Sequence, residues 1–89
     1  MKTFEIDGSR FSTLEGFFEE FSAQVIPGAA WGKNFNALDD VLHGGFGTPE
    51  EGYALRWKNS AISKRTLGAA FGTIVDIFRS HRDIPLKLE

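Results

Sequence analysis

The 89-residue chain combines 42% hydrophobic with 25% charged residues, a balance typical of a folded globular protein. A chain of this length has core material for only one domain, so residues 1–89 are predicted to form a single domain. It contains no cysteine, which excludes disulfide cross-links and thiolate-bound zinc. No apolar run approaches the roughly 18 residues of a transmembrane helix, and the first ten residues contain acids where a signal peptide needs an apolar stretch. We therefore expect a cytoplasmic protein without a cleaved leader and without a membrane partner.

The net charge of −2 conceals an uneven distribution along the chain. Residues 1–52 carry three Lys or Arg side chains against nine acids, whereas residues 53–82 carry six Lys or Arg side chains against one acid. Charge separated in this way predicts an acidic surface and a basic surface on the folded molecule.

The N-terminal half predicts one strand followed by two helices. Residues 2–6 alternate polar and apolar side chains as a strand does, and residues 7–10 form a turn. Residues 12–15, Ser-Thr-Leu-Glu, fit a capping box in which Ser12 begins the first helix. That helix ends at Pro27-Gly28 and has one apolar stripe, formed by Leu14, Phe17, Phe18, Phe21 and Val25. A second helix is predicted to begin at the N-cap Asn34 and to end at Gly44-Gly45.

The C-terminal half predicts a loop, a strand, two helices and a last strand. Residues 46–52 form the loop and residues 53–57 the second strand. A short helix over residues 59–68 has Asn59 or Ser60 as its cap, and a longer one extends from Leu67 to about His81. Residues 83–89 form a third strand, which Pro85 restricts to a sheet edge. Helical crossovers between strands predict an α/β fold with a parallel sheet and right-handed connections.

The second helix has one polar face. At about 100° per residue, Asn36, Asp39, Asp40 and His43 lie on one side, and the opposite side is expected to pack on the sheet. That apolar side consists of Phe35, Leu38, Val41 and Leu42. A merely solvated face shows the same pattern. However, Asp is a poor helix former beyond the first turn, where Glu or Gln would serve better, and this choice favours a surface that meets a cationic partner.

Residues 31–40, Trp-Gly-Lys-Asn-Phe-Asn-Ala-Leu-Asp-Asp, follow the pattern aromatic-Gly-x-Asn-apolar-x-Ala-Leu-x-Asp. This pattern resembles the inhibitory segment of the barstar family, the intracellular protein inhibitors of barnase-type ribonucleases. The resemblance continues in Leu55 to Trp57, in Phe78-Arg79 and in the closing aliphatic strand, so it spans almost the whole chain. It implies a three-stranded parallel sheet packed against helices, in the order strand-helix-helix-strand-helix-helix-strand. It also implies that the second helix and the loop before it occlude a ribonuclease active site, as in toxin–antitoxin or immunity systems.

By position, Asp40 corresponds to the central inhibitory carboxylate of the family. Four other positions differ from barstar: Ala30 stands for a tyrosine, Asn36 for an acid, Asp39 for a tryptophan and Ser80 for a peripheral acid. A carboxylate on a rigid helix can occupy the phosphate position of RNA and accept charge-assisted hydrogen bonds from the enzyme. Opposite charges also accelerate encounter, a behaviour established for a barstar complex and carried over with the resemblance. The implied partner-binding residues are Trp31, Gly32, Asn34, Asn36, Asp39, Asp40, His43 and Phe46.

The partner class stays open in this interpretation. The target is a barnase-type ribonuclease or another enzyme with a cationic cleft, and the alternative is an interaction or immunity module directed at a different protein. Trp31 and Phe46 fit either a partner contact or a place in the core. The free protein is expected to be a monomer.

Other constellations favour neither catalysis nor nucleic-acid binding. Asp39 and Asp40 diverge on the helix, so they do not form an acid–base pair, and His43 and His81 lack a metal-binding spacing. We therefore predict no enzymatic activity, no metal and no cofactor. The basic residues around the third helix are expected to form a solvated surface rather than a site for RNA or DNA, namely Arg56, Lys58, Lys64 and Arg65.

Overall fold

The computed structural model describes residues 1–89 and contains three strands and four helices in the predicted order. The elements are β1 (Lys2–Asp7), α1 (Leu14–Val25), α2 (Phe35–His43), β2 (Tyr53–Lys58), α3 (Ser60–Leu67), α4 (Ala69–Ser80) and β3 (Leu86–Leu88), with a 3-10 turn at Gly8–Arg10 after β1. None of the four helices has the length and apolar content needed to span a bilayer.

The sheet has β2 at its centre with β1 and β3 parallel to it on either side, as the order of elements predicts. Pairing of β1 with β2 begins with Lys2 opposite Tyr53. The third strand is shorter than the predicted residues 83–89, since only three residues pair with β2. Pro85 directly precedes this edge strand, and its carbonyl oxygen accepts a hydrogen bond from the Leu55 N–H at 2.8 Å. A residue without an N–H is tolerated there because the outer side of an edge strand needs no donor.

One face of the sheet is buried under α1 and α4. Alternate strand residues point into the core, because successive side chains of a strand face opposite ways; they are Phe4, Ile6, Tyr53, Leu55 and Trp57. Phe17 of α1 stacks on Trp57 with 5.2 Å between ring centroids, and Phe78 of α4 meets the same indole at 6.2 Å. The Trp57 Nε1–H donates to the buried Ser63 Oγ at 3.1 Å, so the polar edge of this central side chain is satisfied.

The other face of the sheet carries charged side chains. Arg56 donates to both carboxylate oxygens of Glu89, at 2.7 and 2.9 Å, and to Glu5 at 3.2 Å. The hydrogen bonds from Arg56 hold the pKa of Glu89 below its ordinary value. Lys58 lies 3.8 Å from Glu5. Two of the four residues of the predicted basic surface, Arg56 and Lys58, therefore lie next to acids on the open side of the sheet. The other two, Lys64 and Arg65, lie on α3.

Helix α2 packs against other helices rather than on the sheet, which corrects the sequence prediction. Its main helical neighbour is α4, and Phe35 contacts Phe18 of α1 with 6.0 Å between ring centroids. Three strands about 4.8 Å apart form a face only about 10 Å wide, which two helices packed about 10 Å apart already cover. The apolar side of α2 is buried as predicted, but it lies in an outer position against α1 and α4, with Leu38, Val41 and Leu42 buried there.

Two of the predicted helix caps differ in the structure. Thr13, not Ser12, caps α1, because its Oγ1 accepts the Gly16 N–H at 3.0 Å. Asn34 caps α2 as predicted and accepts the Ala37 N–H at 2.8 Å. Asn59 occupies the cap position of α3 with a left-handed φ of 55° but makes no capping bond. Its side chain instead donates to Asp7 Oδ1 at 2.9 Å and joins the ends of β1 and β2.

Asp7 is expected to contribute stability that is lost in acid. Hydrogen bonds from the Asn59 side chain and from the side chain and backbone of Ser9 lower its pKa from 3.8 to about 2. The unfolded chain therefore binds this proton more readily, so the contribution is complete above the unfolded pKa and disappears as the pH falls from 3.8 towards 2. We expect the advantage of the wild type over Asp7→Asn in unfolding free energy to be largest near neutral pH and to shrink in acid. Urea titrations at several pH values measure this difference, and a constant difference would contradict the assignment.

Gly8 is predicted to be intolerant of a side chain. A Cβ there would overlap the carbonyl oxygen of Asn59 and Ser63 Oγ, and the backbone atom can yield only if the strand ends move apart. We expect Gly8→Ala to lower the free energy of unfolding by about 1–3 kcal/mol, the usual cost of overpacking. Gly72→Ala is the matched control, because no atom lies near its Cβ position on α4 and the helix should gain up to about 1 kcal/mol. Urea unfolding of both variants checks the opposite signs, and equal effects would contradict the prediction.

Candidate functional site

The loop before α2 is held in a defined conformation. Lys33 has a left-handed φ of 51°, which costs a non-glycine residue on the order of 1 kcal/mol. Its Nζ donates to Glu19 Oε1 of α1 at 2.9 Å. The next residue, Asn34, caps α2, and Gly32 is exposed beside it. The only cation of this loop is thus paired with an acid of α1.

Asp40 lies exposed on the outer face of α2. It forms no ion pair and no side-chain hydrogen bond with any residue of the chain. Asn36, one turn earlier on the same face, is also exposed and has no side-chain hydrogen bond within the protein. Both side chains are therefore open to contact by a partner.

Asp39 is held inside the protein's own hydrogen-bond network, unlike Asp40. Its Oδ1 lies 2.6 Å from Nε2 of the buried His81, which follows the last residue of α4. His43 Nδ1 donates to the main-chain carbonyl of Asp39 at 2.9 Å and lies 3.7 Å from Asp39 Oδ2. The sequence analysis did not predict the contact between His81 and Asp39, because no periodic pattern connects positions 42 residues apart. Only the packing of α4 against α2 brings these two side chains together.

The two aromatic candidates are half-buried and pack on the core. Trp31 lies against Phe18 and Phe21 with centroid separations of 5.8 and 5.7 Å, and its Nε1–H donates to Ser22 Oγ at 3.2 Å. Phe46, in the loop after α2, also packs on the core cluster while remaining partly accessible. Each ring therefore supports the fold and remains partly accessible to a partner.

A cleft of about 310 Å³ lies at the C-terminal end of α2, next to His43. Glu50 and Asp83 line it, so acidic character continues past the helix. Tyr53 also lines the cleft; burial, with a smaller contribution from Asp83, raises its pKa to about 12. Its buried hydroxyl has no hydrogen-bond partner in the protein.

The sequence matches the family model described as Barstar (barnase inhibitor) over residues 1–85. The chain belongs to the barstar family. No individually curated protein matches it. The three-stranded parallel sheet and four helices of this barstar-family protein agree with the fold that the resemblance implied.

Membership of the barstar family indicates an inhibitor-like role, and the outer face of α2 has suitable chemistry for it. Carboxylate oxygens accept strong, short hydrogen bonds from the Arg, Lys and His side chains that bind RNA phosphates. In this barstar-family protein one carboxylate, Asp40, is unpaired on that face. The second, Asp39, is shared with His81.

Proposed function

We propose that this protein inhibits a barnase-type ribonuclease by placing the outer face of α2 and the loop before it in the active-site cleft. The residues assigned to the contact are Trp31, Gly32, Asn34, Asn36, Asp39, Asp40, His43 and Phe46. The observation that carries the proposal is the exposed Asp40 carboxylate, which has no partner within the chain, on a helix of a barstar-family protein.

The rigidity of the site supports the same proposal. Asn34 caps α2 by accepting the Ala37 N–H, so the first turn of the helix is already ordered before a partner binds. The buried side chains Leu38, Val41 and Leu42 fix the rotation of α2, so the acidic face cannot turn inward. A carboxylate presented in this way reaches a cationic cleft without reorganisation of the inhibitor.

The proposed setting follows from the proposed partner. An inhibitor that protects cellular RNA works in the cytoplasm, and a chain without cysteine needs no oxidising compartment. The protein is proposed to act as a monomer by steric and electrostatic occlusion, without catalysis of its own and without a direct nucleic-acid contact.

A titration of RNA cleavage tests this proposal. A barnase-type ribonuclease is mixed with increasing amounts of the protein, and cleavage of a fluorogenic RNA is followed. We expect cleavage to fall to near zero at about one equivalent of inhibitor, while a ribonuclease of unrelated fold stays active. Full cleavage in the presence of excess protein would overturn the ribonuclease assignment.

A second candidate function is the occlusion of a different enzyme with a cationic cleft. The observation that favours it is the reduced free charge of the face: Asn36 is neutral where the family has an acid, and Asp39 is hydrogen-bonded to His81. Affinity capture with the wild type and with Asp40→Ala as matched baits separates the candidates. A protein retained by the wild type alone and without RNA-cleaving activity would support the second candidate.

A further inference from the structure

Three potential metal ligands converge where α2 meets the end of α4. Asp39 and His43 are one helical turn apart on α2, and His81 directly follows α4. One ligand atom from each of the three residues lies within 4.8 Å of the others. The two imidazole rings meet edge to face with 4.7 Å between their centroids.

The donor set is typical of a zinc-class ion. Two imidazole nitrogens and one carboxylate oxygen form the protein part of many zinc sites with bonds of about 2.0–2.2 Å, and thiolates are not required. Tetrahedral coordination at these lengths places neighbouring donor atoms about 3.3 Å apart. Asp39 Oδ1 and His81 Nε2 are already closer than this, at 2.6 Å, and one ligand atom of His43 lies within 4.8 Å of a ligand atom of each of the other two residues. The three side chains must therefore shift by an ångström or two to surround an ion.

The surroundings of the three residues also fit ligation. His43 donates its Nδ1–H to the Asp39 carbonyl, which is the contact that commonly orients a metal-binding imidazole and leaves its Nε2 lone pair free. His81 is 9% exposed, whereas the side chain of His43 is 67% exposed, so an ion can reach it from solvent. Asp39 pairs with no Lys or Arg side chain; its only close partners are the two imidazoles of the set.

A plain Asp39–His81 hydrogen bond is the competing explanation of the same geometry. That hydrogen bond alone does not account for the second imidazole, His43. Its ring lies one turn after Asp39 on α2, packs against His81 and is oriented by the main chain of Asp39. Spacing along the sequence could not reveal the set, since Asp39 and His81 come together only through helix packing.

We propose that Asp39, His43 and His81 bind one divalent transition-metal ion of the zinc class, with at least one coordination position open to solvent. The open position follows from the exposure of Asp39 and His43 at the surface. Hard cations that prefer six or more oxygen ligands, such as Mg²⁺ and Ca²⁺, find only one carboxylate here and are excluded. The site does not depend on the proposed ribonuclease partner.

Calorimetric titration of the full chain with ZnCl₂ tests the site, with MgCl₂ as the comparison. We expect one saturable Zn²⁺ site per chain and no measurable Mg²⁺ binding. Titration with CoCl₂ is expected to give the intense visible absorption of a four-coordinate cobalt centre. Absence of saturable Zn²⁺ binding to the wild type would overturn the proposal.

Variants then identify the ligands. His43→Ala and Asp39→Asn are expected to weaken Zn²⁺ binding at least tenfold, because loss of even an outer contact costs about 10–100-fold. Asp40→Asn is the matched control: it removes the same charge from the neighbouring residue, which the site does not use, and should change affinity by less than about fivefold. Equal affinity of the wild type and His43→Ala, or equal losses in Asp39→Asn and Asp40→Asn, would contradict the assignment. His43 is exposed, so its variant remains folded, and no ribonuclease is present in these titrations.

Discussion

Replacement of Asp40 by alanine is expected to weaken inhibition of the target ribonuclease by about two to four orders of magnitude. In the complex this carboxylate would lie buried among the cationic groups of the enzyme. Removal of one partner of a buried ion pair costs about 3–5 kcal/mol, because the remaining charges stay desolvated without compensation. Inhibition constants measured for the wild type and Asp40→Ala check the value. Inhibition unchanged by the substitution would remove Asp40 from its assigned role.

Two matched variants separate a specific contact from a general loss of negative charge. Glu5→Gln removes one charge from the open face of the sheet, opposite the helices, and should leave inhibition nearly unchanged. Asp39→Asn should weaken inhibition less than Asp40→Asn does, because the Asp39 carboxylate is already hydrogen-bonded to His81. Raised salt should slow association for all variants, since it screens charge between separated molecules. Equal effects of Glu5→Gln and Asp40→Asn would point to net charge alone.

Replacement of Trp57 by alanine is expected to lower the free energy of unfolding by about 3–5 kcal/mol, the usual cost of deleting a large buried aromatic side chain. The indole is fully buried at the centre of the core and contacts Phe17, Phe71 and Phe78 from three directions. Its loss also removes the hydrogen bond to Ser63, whose hydroxyl is completely buried. Urea unfolding followed by far-UV circular dichroism measures the change without relying on tryptophan fluorescence.

Trp31→Ala is the control for this prediction. Trp31 is half-buried at the edge of the core, and its Nε1–H partner Ser22 is partly accessible, so we expect a clearly smaller loss of stability. Trp57→Phe retains most of the apolar contacts, so we expect it to fold even if the alanine variant does not. Its free energy of unfolding should lie between those of the wild type and Trp57→Ala. A loss for Trp57→Ala no greater than for Trp31→Ala would contradict the central position assigned to this residue.

The sequence was sufficient for the order of elements, because each depends on local chemistry. The alternation of residues 2–6, the cap at Asn34 and the two glycines after His43 each determine a boundary without help from distant residues. The burial of one side of α2 also follows from helical periodicity. Periodicity does not show which elements that side contacts. Helix α2 contacts α4 and α1 because the three-stranded sheet is too narrow for a further helix.

The candidate site was predictable only as far as a single helix determines it. Helical spacing places Asp40 and Asn36 on the outer face, and both are exposed there. The hydrogen bond that draws Asp39 away from this face comes from His81, and no local pattern indicates it. Likewise, the side chain of Asn59 contacts Asp7 rather than its own helix, because the sheet register places the ends of β1 and β2 side by side.

The one-sided arrangement of helices has a practical consequence. Thr3 is exposed on β1 two residues before Glu5, so its side chain lies with that of Glu5 on the bare side of the sheet, away from α2. Because the sequence has no cysteine, Thr3→Cys would introduce a single thiol for attachment to a sensor surface. Every molecule coupled through that sulfur would be oriented alike, with α2 directed into the flowing solution.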